Sequence, residues 1–357
     1  MTKLGADFLT PEAILNNLRN FDQIRKSVTA VTGLELVRQD LEDELKLAAN
    51  LKTPVRKRLK RIKGEGKAHA FYKLTSNPGT SVTNAKFLGT DPTGMSFAKG
   101  GLPTAVDAQY EYLSRPYANL GDLVIIPWQD IAQDESFIDI KAQQRRVKTV
   151  NVALGEEYFI LNGDSAATGG LAFDGIITQI LNDGFNVLDL SGGGGAALSY
   201  GVIRQQCFNI LKAGGQTRAL IMSYVMKERM TAMLGQLYAI RQVGPGGSTT
   251  YGGGQNFETW DFGTGSVDLI ADQYMVPDVN GLERIVFLDD ESTDDAPQQS
   301  GNVVQMVDVD PLNYRDLQSI TTSERGIIYE TSMLMISITQ YQGLILGFNP
   351  ALTPVLD

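Results

Sequence analysis

The chain is poor in the side chains that carry most enzyme chemistry. Its 357 residues hold one cysteine, Cys207, and one histidine, His69. A lone cysteine excludes an intrachain disulfide, and one of each excludes the usual four-ligand zinc sets. A Ser-His-Asp site would have to use His69, and no G-x-S-x-G elbow accompanies it. No EF-hand loop is present, and the Walker lysine–hydroxyl pair is missing. No apolar run approaches the roughly 20 residues of a membrane helix. The start, MTKLGADFLTPEAILNNL, has no apolar core of a signal peptide. These absences predict a chain made in the cytoplasm, without membrane, metal or cofactor, and with a role other than catalysis.

The remaining enzyme-like features each have a plainer reading. Gly192 to Gly195 precede a helix expected from Leu198, and such a loop can cradle phosphate on backbone N–H groups. Four glycines in a row more often make a loose loop. The pairs Asp289/Asp290 and Asp308/Asp310 have acid–base potential, but exposed turns collect acids for solubility alone. His69 lies in a tyrosine-bearing strand and reads as a surface or interface side chain.

Charge is plentiful and unevenly spread. Lys and Arg number 31 against 41 Asp and Glu, a net charge of −10. The stretch VRKRLKRIKGEGK, residues 55–67, carries +6, which leaves −16 for the rest. Such asymmetry marks a partner more than a fold. Arg56, Lys57, Arg58, Lys60, Arg61 and Lys63 suit either phosphate backbones or acids of a neighbouring subunit.

The dominant element is the stretch from Ser136 to Asp164. Phe137, Ile140, Gln144, Val147, Asn151, Leu154, Tyr158 and Leu161 recur every three or four residues and share one helix face. Lys141, Gln143, Arg146, Lys148 and Glu156 fall on the opposite face. Asn162-Gly163 is the expected stop, with glycine in the left-handed conformation. A small-residue loop then leads to Asp174-Gly175-Ile176.

Upstream, Thr10-Pro11-Glu12 reads as a helix start, and a second amphipathic helix runs from Gly33 to Leu51. Ala68 to Leu74 and Gln109 to Tyr117 alternate as two strands, joined by over thirty residues rich in Gly, Thr, Ser and Pro. So long a hairpin has no core of its own, and it is expected to lie on a neighbouring molecule. Val124 to Trp128 returns to the core. Downstream, Leu198 to Ala213 is a helix with Val202, Ile203, Cys207, Ile210 and Leu211 inward. Arg218 to Met222 is a buried strand, and Ser223 caps a helix whose Met226, Met230, Met233 and Leu237 form a core stripe. Strands are expected at 258–262, 267–271, 284–288, 303–309, 327–338 and 343–348.

This order resembles the major capsid proteins of tailed double-stranded DNA bacteriophages (Caudoviricetes), which share the Hong Kong 97 fold. The residues that carry the resemblance are the long helix with ILNGD and FDGI, the hairpin before it and the α/β segment after it. The resemblance implies an α+β fold with an N-terminal arm at 1–65 and an extended hairpin loop at 66–122. It implies a peripheral domain at 123–174 and 303–357 containing the spine helix, and an axial domain at 175–302. The implied function is self-assembly through hexamers and pentamers into an icosahedral shell enclosing double-stranded DNA, with scaffold, portal and decoration proteins as further partners. The implied location is the virion capsid, assembled in the host cytoplasm. Phe71, Tyr72, Tyr110, Tyr112, Arg115 and Tyr117 would be the inter-subunit hairpin residues. Gly244, Gly246, Gly247, Gly252 and Gly253 would line the ring axis. Alternatives are an encapsulin-like cargo shell and a soluble α/β enzyme.

Overall fold

A computed structural model of the chain describes residues 52–76, 99–101, 109–129, 140–242, 258–291, 302–320 and 322–356. The two helices expected before residue 52, the hairpin tip and the glycine-rich loop at 244–254 lie outside these residues.

Two sheets organise the described chain. The first has four strands in the order β1 (Lys60–Lys63), β10 (Val304–Ile320), β11 (Ser323–Ile336) and β4 (Ala118–Pro127). β1 runs parallel to β10, and the other pairs are antiparallel. The second has six strands in the order β5 (Val187–Asp189), β12 (Gly343–Phe348), β9 (Glu283–Leu288), β6 (Ala219–Met222), β8 (Ser266–Ala271) and β7 (Thr259–Asp261). β2 (Ala68–Ser76) and β3 (Gln109–Pro116) form a separate antiparallel ribbon, which is the expected hairpin. The helices are α1 (Pro54–Arg58), α2 (Ile140–Asn162), α3 (Ile176–Asp183), α4 (Tyr200–Ala213) and α5 (Tyr224–Gln242).

In the four-stranded sheet β4 alternates buried and exposed residues, whereas β6 of the six-stranded sheet is buried throughout because both faces are covered. In β6, Leu220 and Met222 meet the buried faces of α4 and α5, where Ile203, Cys207, Ile210, Met226, Met230 and Met233 pack. Ala219 and Ile221 point the other way, toward Ile160 of α2 and Ile176 and Ile180 of α3. In the four-stranded sheet, Val124, Ile126 and Ile328 face Val152 of α2. Leu123 and Ile125 face outward, and Trp128 is half-exposed, so only alternate residues of 124–128 are core.

Several expectations need correction. β10 continues past Val309 to Ile320, with register shifts between Asp308 and Asn313. Pro311 falls at those shifts, as expected for a residue that cannot donate to a ladder. Strand β12 belongs to the six-stranded sheet, so the tail from 303 is split between the two sheets. Strand β1 belongs to the four-stranded sheet, so residues 60–63 are part of the body and not of an arm. Leu211 is exposed on α4.

Helix α2 is turned relative to the face its sequence period suggests. Val152, Glu156, Glu157, Ile160 and Leu161 are its buried residues, while Asn151 and Tyr158 are exposed. It ends at Asn162, but Gly163 has no positive φ. The stop is steric. The Gly175 N–H donates to the Gly163 carbonyl at 2.9 Å, and a Cβ on Gly175 would sit 2.7 Å from both Gly163 N and the Phe159 carbonyl oxygen. ILNGD and FDGI are two strokes of chain crossing backbone on backbone, where a side chain does not fit.

Candidate functional site

The stretch from Thr53 to Lys63 straps the two sheets together. Pro54 at the first helical position begins α1, and Thr53 makes no side-chain cap. The free N–H groups of the first turn are capped from outside. Val55 N and Arg56 N donate to the two carboxylate oxygens of Glu157 at 2.8 and 2.6 Å. A carboxyl suits the place because its two oxygens meet two backbone donors that have no partner within the helix.

The arginines of the strap all reach acids of the same chain. Arg56 Nε and Arg61 Nη2 pair with opposite oxygens of Glu156. Arg61 Nη1 also meets Asp308 at 2.9 Å and Glu330. Arg58 Nε pairs with Asp290 at 2.6 Å, and its Nη1 with Asp268. Thus α2, β10 and β11 are held by Arg56 and Arg61, and the six-stranded sheet by Arg58. Glu156, Glu157 and Glu330 are wholly buried.

The electrostatics follow from acids outnumbering cations. Burial pushes Glu330 up, Glu156 adds to the shift, and Arg61 opposes it. Burial also raises Asp308 against the pull of Arg61. Burial works against the charge of Arg61, yet Glu156, Glu330 and Asp308 hold its pKa above the ordinary value. Removing one partner of such a network costs about 3–5 kcal/mol, because a buried charge is left alone.

The sequence places Glu156 on a polar face and the acid pairs in solvated turns; the structure overturns this for Glu156, Asp289, Asp290 and Asp308, while Asp310 is exposed. Asp289, Asp290 and Asp308 are 2%, 8% and 8% exposed. Asp289 accepts from Gln216 N at 2.8 Å, and burial pushes its pKa up to about 7. Glu157, Asp268 and Glu330 are missed altogether, and Glu156, Asp290 and Asp308 are named but placed in solvent. One signal was present: arginine at 56, 58 and 61 alternates with lysine at 57, 60 and 63. Arginine's planar fork suits buried carboxylates, and lysine's hydrated ammonium suits water. Lys57, Lys60 and Lys63 are indeed exposed. The six basic residues thus divide into three that bind their own chain and three that face outward.

The hairpin residues divide likewise. Tyr72 and Tyr112 are directly opposite in the β2–β3 ladder, 5.4 Å between ring centroids, and 73% and 59% exposed. Phe71 and Tyr117 pack against the main core of their own chain. Arg115 pairs with Asp174 at 3.4 Å, which ties the hairpin base to the loop after α2. The side chain of Tyr110 and the five loop glycines lie outside the described residues. His69 is half-buried beside Phe71, at 6.2 Å between rings. Burial pushes the Cys207 thiol up to about 12, away from any nucleophile's range. Among the described residues no three His, Cys, Asp or Glu side chains gather to hold a metal. No described helix is long and apolar enough to cross a membrane.

Comparison with known proteins completes the site. The family model for the SU10 major capsid protein matches residues 129–343, more than half of the chain. The chain belongs to the SU10 major capsid protein family. No curated protein matches it. Solved structures share the fold at low identity. The capsid of a native GTA particle superposes with a TM-score of 0.58 at 12% identity, over 90% of this chain and 99% of the other. The SrpI encapsulin of Synechococcus elongatus gives 0.56 at 11%, over 90% and 96%. The capsid protein of Myoviridae phage XM1 gives 0.52 at 13%, over 87% and 97%. The α+β capsid fold and the role in building a shell are thereby those of a family whose product is structural.

Proposed function

We propose that the chain assembles through hexamers and pentamers into a closed icosahedral shell around double-stranded DNA. The family match carries this reading. In it, the four-stranded sheet with α2 is the peripheral domain, and the six-stranded sheet with α4 and α5 is the axial domain. The arm shortens to the residues before Thr53, since β1 sits in the sheet. The tyrosine pair Tyr72 and Tyr112 is the part of the hairpin that meets the next subunit, while Phe71, Arg115 and Tyr117 anchor its base. The glycines between Gly244 and Gly253 sit near the ring axis. Lys57, Lys60 and Lys63 supply the outward charge for DNA or for an acidic neighbour. Assembly proceeds in the host cytoplasm, with portal, scaffold and decoration proteins as further partners.

A cargo shell is the second reading, favoured by the likeness to the encapsulin. Both are tested by expressing the chain and recording light scattering and negative-stain micrographs. Closed particles or five- and six-membered rings are expected. A monomer at every concentration and salt, with candidate scaffold proteins from the same source also added, would sink both readings. Particles from infected cells that protect DNA from nuclease select the virion, and particles filled with one protein select the cargo shell.

A further inference from the structure

We infer that Glu157 and Asp272 share one proton, and that this proton latches helix α2 to the end of strand β8. The inference concerns the folded chain itself, so it stands or falls apart from the shell reading.

Both side chains are buried, at 0% and 1% exposure. The ring of Tyr158, next to Glu157, meets that of Tyr274 edge-on at 5.9 Å, and Asn162 Nδ2 donates to the Tyr274 carbonyl at 2.7 Å, which sets the turn carrying Asp272 against α2. Glu157 gives one oxygen to each of Val55 N and Arg56 N. Asp272 Oδ1 accepts from Tyr274 N at 2.7 Å. Asp272 Oδ2 is shut off from solvent and has no donor among the described residues. Two carboxylates facing each other offer only acceptors, and a proton is the donor that is missing.

Among the described residues, the cations nearby are engaged elsewhere. On α1, Arg56 is engaged with Glu156 and Arg58 with Asp268 and Asp290. On α2, the neighbours are Glu156, whose two oxygens meet Arg56 and Arg61, and Tyr158. Arg284 of β9 donates to Asn162. On β8, Lys227 of α5 donates to the Leu269 carbonyl, and Asp268 is a further acid. The Tyr274 phenol faces both carboxyls, and burial followed by their charge raises its pKa, so it stays neutral. Two like charges in such a seam cannot both ionise cheaply, and one proton is retained. Burial followed by Asp272 pushes Glu157 upward accordingly.

The sign is fixed by that direction. A carboxyl raised by folding stabilises the fold fully below the ordinary carboxylate range, and this stability is lost as pH climbs through the folded value. Loss of the proton sets two negative charges between α1 and α2 on one side and β8 on the other. Because Glu157 also caps α1, opening would begin at residues 53–58 and 272–274.

The test uses the full chain with Glu157→Gln and Asp272→Asn. Asp272→Asn donates an N–H where the proton would stand, while Glu157→Gln removes the titrating group and also one of the two acceptors of the α1 cap. Urea unfolding of wild type and both variants is compared between about pH 5 and pH 8, with hydrogen exchange read at the two segments. The wild-type unfolding constant is expected to rise against either variant by about tenfold per pH unit, one proton's worth. Exchange at residues 53–58 and 272–274 should quicken with pH beyond its chemical rate in wild type alone. Parallel pH slopes in all three proteins would overturn the inference. So would an Asp272→Asn variant that fails to fold at any pH, since its amide provides the same donor. Recovery of wild type at the upper pH by added calcium, absent from the variants, would replace the proton with a cation.

Discussion

Arg61 holds three acids that lie 95, 247 and 269 residues further along the chain. Replacing it by Ala leaves Glu156, Asp308 and Glu330 buried with one arginine fewer. A loss of about 3–5 kcal/mol is expected, seen as a lowered urea midpoint. Lys60→Ala, one residue away and exposed, should change the midpoint by less than about 0.5 kcal/mol. If the two variants behave alike, the strap is not held by these pairs. Asp289 makes a separate pH prediction. Its pKa climbs from 3.8 to about 7 on folding, so the folded state keeps a proton that the unfolded state releases in that window. Stability should fall from pH 4 to pH 7, and Asp289→Asn should flatten part of the fall in melting temperature. At this scale the sequence was least legible. A glutamate looks the same whether water or an arginine a hundred residues away surrounds it. Glu156 and Asp308 were therefore read as surface residues.

Elements were far more legible, because periodicity is written locally. Five strands of the six-stranded sheet, the capped helix after Ser223 and the hairpin ladder all follow from alternation or helical spacing, whereas the three-residue β5 is too short to show a period. Helix α2 was legible at its end and misread in rotation, since its face is set by where the arginines lie and not by its apolar count. Gly163 was legible as a stop for the wrong reason. Its role lies in the crossing with Gly175, and long-range backbone contact leaves no trace in spacing. Gly175→Ala should therefore cost about 1–3 kcal/mol through overpacking, with β-sheet content unchanged. Thermal unfolding followed by circular dichroism measures it. A neutral outcome would mean that the crossing is loose.

At the scale of the molecule, the proposed shell has folding and assembly use different residues of one hairpin. Phe71, Tyr117 and Arg115 belong to the chain's own core and loop, while Tyr72 and Tyr112 remain outside it. Replacing both exposed tyrosines by Ala should leave the unfolding midpoint unchanged and reduce the yield of closed particles in light scattering. Equal losses in both measurements would show that the pair stabilises the monomer instead.

The parallel pairing of β1 with β10 sets a timetable for synthesis. Lys60 pairs with Gln305, 245 residues later. At about 5–20 residues per second, a ribosome needs roughly 12–50 s to deliver the partner. For that interval the first strand is an open edge, and Arg61 has at most Glu156 to hold. The strap that joins the finished halves is made early and docked late, so the newborn chain depends on whatever shields that edge while it waits.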